Sequence, residues 1–258
     1  MPTDTSSYPV VFVGSGNLAT CLAVAMRDKK IPIIQIFSRK ATSAKALASR
    51  IGCAWTNDPD KIRTDAALYI FAVRDDVLVE TIGKIPPNGG LWVHTAGSMP
   101  MDIFGDTVNR YGVFYPMQTF SKARPVSFHS IPIFIEASSA SDGLLLQSIA
   151  ACLSREVHFL SSEQRQQFHL AAVFASSFTN RMYAIACHLL ERKGLDGRLL
   201  LPLIDETAAK VHDLPAVKAQ TGPAVRHDVA VMKKHLDMLD HETDLKELYR
   251  LISRNIHG

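Results

Sequence analysis

The sequence has no block of like charge, no low-complexity tract and no uninterrupted apolar run near the ~18 residues a membrane span needs. Its 28 Lys and Arg are dispersed among 25 Asp and Glu, for a formal net charge of +3, which excludes the basic stripe of a nucleic-acid binder. The four cysteines, Cys21, Cys53, Cys152 and Cys187, lie far apart, without a C-x-x-C pair or a histidine at zinc spacing. They read as reduced, buried and inert. Met1 to Ser7 is short and polar and has no apolar core, so it is neither a signal peptide nor an anchor. A cytoplasmic protein with no membrane and no nucleic-acid partner is expected.

What is present is a 47% hydrophobic chain of 258 residues, enough for one large domain or two ordinary ones. Its organising stretch is Pro9 to Lys40. The apolar run Val10-Val11-Phe12-Val13 leads into Gly14-Ser15-Gly16-Asn17-Leu18-Ala19, then a helix-like segment to about Arg27, then the apolar run Ile31 to Phe37. This is the G-x-G-x-x-A dinucleotide fingerprint between a strand and a helix. Gly14 allows a tight turn, Gly16 lets backbone approach a pyrophosphate at the helix N-terminus, and Ala19 lets the helix lie close on the sheet. An NAD enzyme usually carries an acid about 20 residues on. Here Ser38-Arg39-Lys40 stands there instead, a hydroxyl and two cations suited to a 2′-phosphate, or else a solvated basic turn. NADP(H) is the expected cofactor.

Short apolar runs at Ala66 to Val73, Leu91 to Val93, Val113 to Tyr115 and Ile131 to Ile135 alternate with helix-length segments as far as Glu156 to Leu160. The expected fold is therefore α/β, a Rossmann-type doubly wound, mostly parallel sheet over residues 1–160. From Ser161 onward no comparable strand follows, and residues 161–258 read as an all-helical domain. Within it Gln167 to Arg192 is apolar on nearly every face, as for a helix inside a bundle or a subunit interface. Dimerisation through these helices is the expected partner interaction.

Ligands of such sheets bind outside the carboxyl ends of the strands. Ala72-Val73-Arg74 ends the fourth strand, where the chain passes under the adenosine ribose towards the nicotinamide, or where an ordinary charged turn enters a helix. In His94-Thr95-Ala96-Gly97-Ser98, Thr95 is placed beside the nicotinamide, and His94 is either a general acid or a structural donor. At about 100° per residue, His169, Ser176 and Asn180 fall within about 40° of one another on the long helix. They form either a substrate-facing line or an internal polar seam. Arg226 is expected in the first turn of a helix from Val225 to Leu239, where its charge opposes the helix dipole and calls for an anionic partner. Asp228 or a substrate carboxylate can supply it.

Gly14-x-Gly16-x-x-Ala19, His94-Thr95-x-Gly97-Ser98, Tyr115-Pro116-Met117-Gln118 and Thr221-Gly222-Pro223-x-x-Arg226-x-Asp228 together resemble NADP oxidoreductases with a Rossmann domain and a C-terminal helical domain. That family is similar in architecture to pyrroline-5-carboxylate reductase and to deazaflavin-dependent NADP reductase. The resemblance implies NADP binding and dimerisation by the helical domain, and no particular substrate. The β-hydroxyacid dehydrogenase relatives carry Lys-x-x-x-Asn on the corresponding helix, whereas here Ser176 precedes Asn180. Serine cannot supply the cationic acid, which argues against alcohol oxidation by that mechanism. The expected activity is hydride transfer between NADP(H) and a small imine or carbonyl compound, with His169 and Asn180 towards substrate. The rival is a redox sensor that binds NADP(H) without turnover.

Overall fold

A computed structural model describes residues 8–257; the Met1 to Ser7 stretch lies outside the described residues. The chain divides into two compact units, the first ending at Thr179 and the second beginning at Asn180.

The first unit is built on one eight-stranded sheet: β1 Val10–Val13, β2 Ile33–Phe37, β3 Ala54–Thr56, β4 Leu68–Phe71, β5 Leu91–His94, β6 Tyr111–Pro116, β7 Ile133–Ala137 and β8 Val157–Phe159. The order is β3-β2-β1-β4-β5-β6-β7-β8. Strands β1 to β6 are parallel, β7 runs antiparallel to β6, and β8 is parallel to β7. Every residue of β1, β4 and β5 is buried, as required of parallel strands covered on both faces. Alternate residues serve opposite sides. Val10, Phe12, Leu68 and Ile70 join one apolar cluster, and Val11, Val13, Tyr69 and Phe71 join the other. The helices of this unit are α1 Asn17–Asp28, α2 Ala41–Ile51, α3 Asp75–Ile82, α4 Ala140–Leu153 and α5 Ser162–Ala172. Gly52, in the left-handed region at φ 86°, ends α2. Since β1 lies between β2 and β4, the chain order reverses at β1, which places the switch point of the sheet at the fingerprint.

The helix expected over Gln167 to Arg192 forms, but not as one regular α-helix. α5 opens with a capping box, in which Ser161 accepts from the Gln164 N–H and the Gln164 side chain accepts from the Ser161 N–H. It passes into a π-helical turn at Val173–Phe178, and only then into α6 Thr179–Glu191. Hydroxyl groups compete for carbonyls there: Ser176 Oγ donates to the Ala172 carbonyl at 2.7 Å, and Thr179 Oγ1 donates to that of Phe174, five residues back, at 2.9 Å.

The second unit is helical. After α6 come α7 Leu201–Asp213, the short α8 Ala216–Ala219, α9 Val229–Met238 and α10 Thr243–His257. The Arg192 guanidinium pairs with Glu242, and His235 Nδ1 meets the Tyr249 hydroxyl at 2.9 Å, so α6 and α9 are each tied to the C-terminal segment. Among the described residues no helix is long and apolar enough to cross a membrane.

Candidate functional site

Gly14 and Gly16 do different work. Gly14 has φ 124°, and a Cβ there would stand 2.3 Å from the Ala72 carbonyl oxygen, so the turn off β1 is closed to any other residue. Gly16, at the head of α1, is exposed, and a Cβ there would meet nothing within 4 Å. The protein's own packing does not require it. What its small size does is leave open space at a helix N-terminus that has no side-chain cap and no acid in its first turn. Asn17 is exposed beside it, while the Leu18 side chain turns inward against the core.

Across the switch point, Ser15 Oγ donates to Ser38 Oγ at 2.9 Å, joining the glycine turn to the end of β2. Gly14, Ser15, Gly16, Ser38, Arg39, Lys40, Ala72, Val73 and Arg74 line one cleft of about 610 Å³ at the carboxyl ends of β1, β2 and β4. Arg39 and Lys40 are exposed and form no ion pair among the described residues. Arg74, by contrast, is engaged at the rim with Asp76 at 2.6 Å. The residues fit an anionic dinucleotide: an open helix N-terminus for a diphosphate and, at the far end, two cations that form no salt bridge, with Glu80 within electrostatic reach of Arg39.

At the turn after β5, His94 takes the structural of its two expected roles. This side chain is fully buried. Its Nδ1 accepts from the Ala96 N–H at 3.1 Å, and its Nε2 lies 3.2 Å from the Pro100 carbonyl, to which it donates once Nδ1 is an acceptor. Burial, followed by the nearby Arg165 charge, pushes its pKa down to about 3. His94 is thus a neutral ring that folds the 94–100 turn, not a proton donor to substrate. Thr95 is also buried, and its hydroxyl donates to the Phe71 carbonyl at 3.4 Å, leaving only its lone pairs for a ligand.

His169 fares differently. Gly97 lies flat against its ring, since a Cβ on Gly97 would fall 2.4 Å from His169 Nδ1. That nitrogen is 3.1 Å from the hydroxyl of Tyr115, at the end of β6. Tyr115 is nearly buried, and its pKa is raised by burial first and then by the Asp75 charge, so the phenol holds its proton. The pair lines a second cavity of about 450 Å³ with Met117, Gln118, Thr119 and Ser176. Ser98 Oγ bonds the Asp75 carboxylate, and Asp75 follows Val73 and Arg74 of the cofactor-shaped cleft by one or two residues. Tyr115 stands in a sequence motif, but nothing in the linear order pairs it with a histidine 54 positions on.

α5 is fastened to this turn by a hydrogen-bond network around the buried Arg165. Gln166 Nε2 donates to the Ser98 carbonyl at 3.0 Å, Arg165 Nη2 to that of Met99 at 2.5 Å, and the Met101 N–H to Ser162 Oγ at 2.9 Å. Arg165, 1% exposed, pairs through Nη1 with Glu136 of β7 at 2.5 Å. Glu136 also receives the Ser162 N–H and hydroxyl at 3.0 and 2.8 Å. Sequence reading passed over both charges, because an ion pair between β7 and α5 has no local signature.

Two further expectations change. The alignment of His169, Ser176 and Asn180 assumed an unbroken α-helix, and the π turn removes that phase. Ser176 spends its proton on its own helix, and Asn180 belongs to the second unit. Arg226 is not in a helical first turn either. Residues 222–227 form a turn in which His227 adopts φ 55°, and α9 starts only at Val229, with Asp228 as N-cap accepting from the Val231 N–H at 3.1 Å. Arg226 therefore does not oppose the dipole of α9, and Asp228 is committed to capping. Among the described residues no group of three or more His, Cys, Asp or Glu could hold a metal ion.

A family model described as a domain of unknown function, DUF2520, matches residues 131–256. Across the whole chain, a crystal structure from Bacteroides fragilis, of a protein provisionally named an NADP oxidoreductase, is 47% identical with a TM-score of 0.95. The match covers 98% of this chain and 99% of that one. The chain belongs to that NADP oxidoreductase family. It is an oxidoreductase by family, and the fold extends well beyond it. A reductive aminase from Aspergillus terreus, solved with NADPH and ethyl-5-oxohexanoate, is 17% identical with a TM-score of 0.71, covering 97% of this oxidoreductase and 95% of that chain. A 1-pyrroline-5-carboxylate reductase from Streptococcus pyogenes is 8% identical with a TM-score of 0.63, covering 97% and 98%. These two share the fold. No curated protein matches the sequence.

Proposed function

We propose that this oxidoreductase binds NADP(H) in the cleft at the ends of β1, β2 and β4 and reduces a small imine or carbonyl compound. The observation that carries the cofactor is the unpaired Arg39 and Lys40 facing the same cleft as the open Gly16 helix terminus. Gly14 to Leu18 hold the pyrophosphate, Ser38, Arg39 and Lys40 the 2′-phosphate, Ala72 to Arg74 the adenosine ribose side, and Thr95 the nicotinamide side. When bound, the reduced cofactor supplies a hydride. This chain supplies orientation and, at His169, an imidazole beside the 450 Å³ cavity.

The substrate class is supported by the reductive aminase and the pyrroline reductase, whose names concern carbon–nitrogen double bonds. It is also supported by Ser176, which stands where a lysine would serve alcohol oxidation. Substrate contacts from Asn180 and Arg226 rest on the sequence reading alone. Homodimerisation through the second unit and a cytoplasmic location belong to the same proposal. The first is supported by exposed Leu199, Leu203 and Val217 on α7, α8 and the turn before α7.

The test is a fluorescence titration with NADPH and NADH of the wild type and Arg39→Ala, followed by NADPH oxidation with a panel of small imines and carbonyls. Tight NADPH binding whose preference over NADH collapses in Arg39→Ala supports the cleft assignment. Failure to bind either cofactor sinks it. Bound NADPH that no member of the panel oxidises sinks the substrate class.

A further inference from the structure

Resting on the reductase reading above, one assignment follows from the pairing of β6 with α5. We propose that Tyr115 is the proton donor of the reaction, with His169 returning its proton through Nδ1, and that the substrate oxygen or imine nitrogen sits in the cavity the two side chains share.

Four observations carry it. The Tyr115 hydroxyl and His169 Nδ1 are 3.1 Å apart, a hydrogen bond that can pass a proton either way. Both side chains line the cavity, and burial with the neighbouring Asp75 charge keeps the phenol in its donor form. Gly97 leaves room for the imidazole where any larger residue would displace it. The Arg165–Glu136 pair and the Gln166 and Ser162 bonds hold α5, and with it His169, against the 98–101 turn. Because Nδ1 faces the hydroxyl, that nitrogen reaches the cavity through Tyr115.

The proton balance closes. As the substrate carbon gains the hydride, the π pair of the C=O or C=N bond moves to the heteroatom, which takes the Tyr115 proton. The tyrosinate regains a proton from His169 Nδ1–H, and the neutral imidazole is recharged from solvent. The substrate is reduced, the cofactor oxidised, and one solvent proton is consumed.

Tyr115→Phe keeps the ring and its contact with Phe134, whose centroid is 6.2 Å away, so the variant should fold, and a thermal melt checks this. Two probes separate proton donation from structure. Ethyl pyruvate needs a proton on oxygen after hydride transfer, whereas N-methyl-1-pyrrolinium already carries its charge and needs none. The expected result is a loss in kcat of about 100-fold or more with ethyl pyruvate, the usual range for a general acid, and a change below about threefold with the iminium. Equal losses with both probes, or none with either, overturn the proposal. A second readout needs no turnover. In the cofactor-free protein the ¹⁵N shifts of the His169 ring should move on Tyr115→Phe, and shifts that stay in place overturn the shared proton. Failure of the reductase reading is seen separately, as wild-type protein that oxidises NADPH with neither probe nor any other imine or carbonyl.

Discussion

The two units of this chain solve the burial problem differently. In the first, β1, β4 and β5 are enclosed by helices and two apolar clusters, and the large side chains Trp92, Phe104 and Phe114 are completely covered. In the second, Ala224 is the single buried apolar residue among those described. Leu199, Leu203, Val217 and Met238 stay exposed by 77%, 63%, 89% and 72%. A Rossmann sheet is covered by the helices of its own crossovers, so it is self-sufficient. A handful of helices encloses little interior, so much of its apolar surface stays open. The first unit thus builds its core within itself, while the second leaves open the apolar side chains on which the proposed dimer rests.

That contrast can be broken or sharpened at single residues. The largest effect belongs to the buried pair. Arg165→Met leaves Glu136 without its cation and should destabilise the first unit by about 3–5 kcal/mol in urea unfolding. A loss below about 1 kcal/mol would mean that the pair is not what fastens α5. Next are the two glycines. Gly14→Ala places a Cβ 2.3 Å from a carbonyl oxygen at a positive φ and should cost about 1–3 kcal/mol, together with cofactor binding. Gly16→Ala should leave the melting temperature of the free protein within error and still abolish NADPH binding. Equal melting losses for the two would erase the distinction drawn between them.

A smaller and graded effect comes from His94. Its native pKa of about 3 lies below the 6.5 of an ordinary histidine, so between these values the unfolded chain binds the proton and the native state does not. Stability present above about pH 6.5 should therefore fall as the solution is acidified towards pH 3. The contribution to the slope approaches about 1.4 kcal/mol per pH unit and should be missing in His94→Gln. Smallest in stability but largest in assembly is Val217→Glu in the second unit. At 89% exposure the substitution should shift unfolding of the isolated chain by no more than about 0.5 kcal/mol. Sedimentation should nonetheless show a dimer weakened to monomer if this surface is the interface. An unchanged sedimentation coefficient would move the interface elsewhere.

Much of the first unit was legible from the sequence because its signals are local. Gly14, Gly16 and Ala19 between two apolar runs announce a strand, a phosphate-sized turn and a helix within a single stretch. The apolar runs Ala66 to Val73 and Leu91 to Val93 announce strands covered on both faces. The reading failed where a hydrogen bond outcompeted periodicity. Ser176 and Thr179 draw on helix carbonyls and open the π turn, and Asp228 caps α9 four residues later than a helix beginning at Val225 would require. It left His94 open between a general acid and a structural donor, because burial cannot be read from the polar company a residue keeps in the chain.

What the sequence determined by itself, then, is the dinucleotide half of this protein: the glycine turn, the missing acid after β2 and the basic residues in its place. These are fixed by steric and charge rules acting over a few neighbouring residues. Only the tertiary structure decided which polar groups meet. The parallel order β1-β4-β5-β6, the reversal at β7 and the docking of α5 bring Tyr115 to His169, Glu136 to Arg165 and Gly97 under an imidazole ring. Such pairings depend on strand order and helix placement over tens of residues, and no local pattern encodes them.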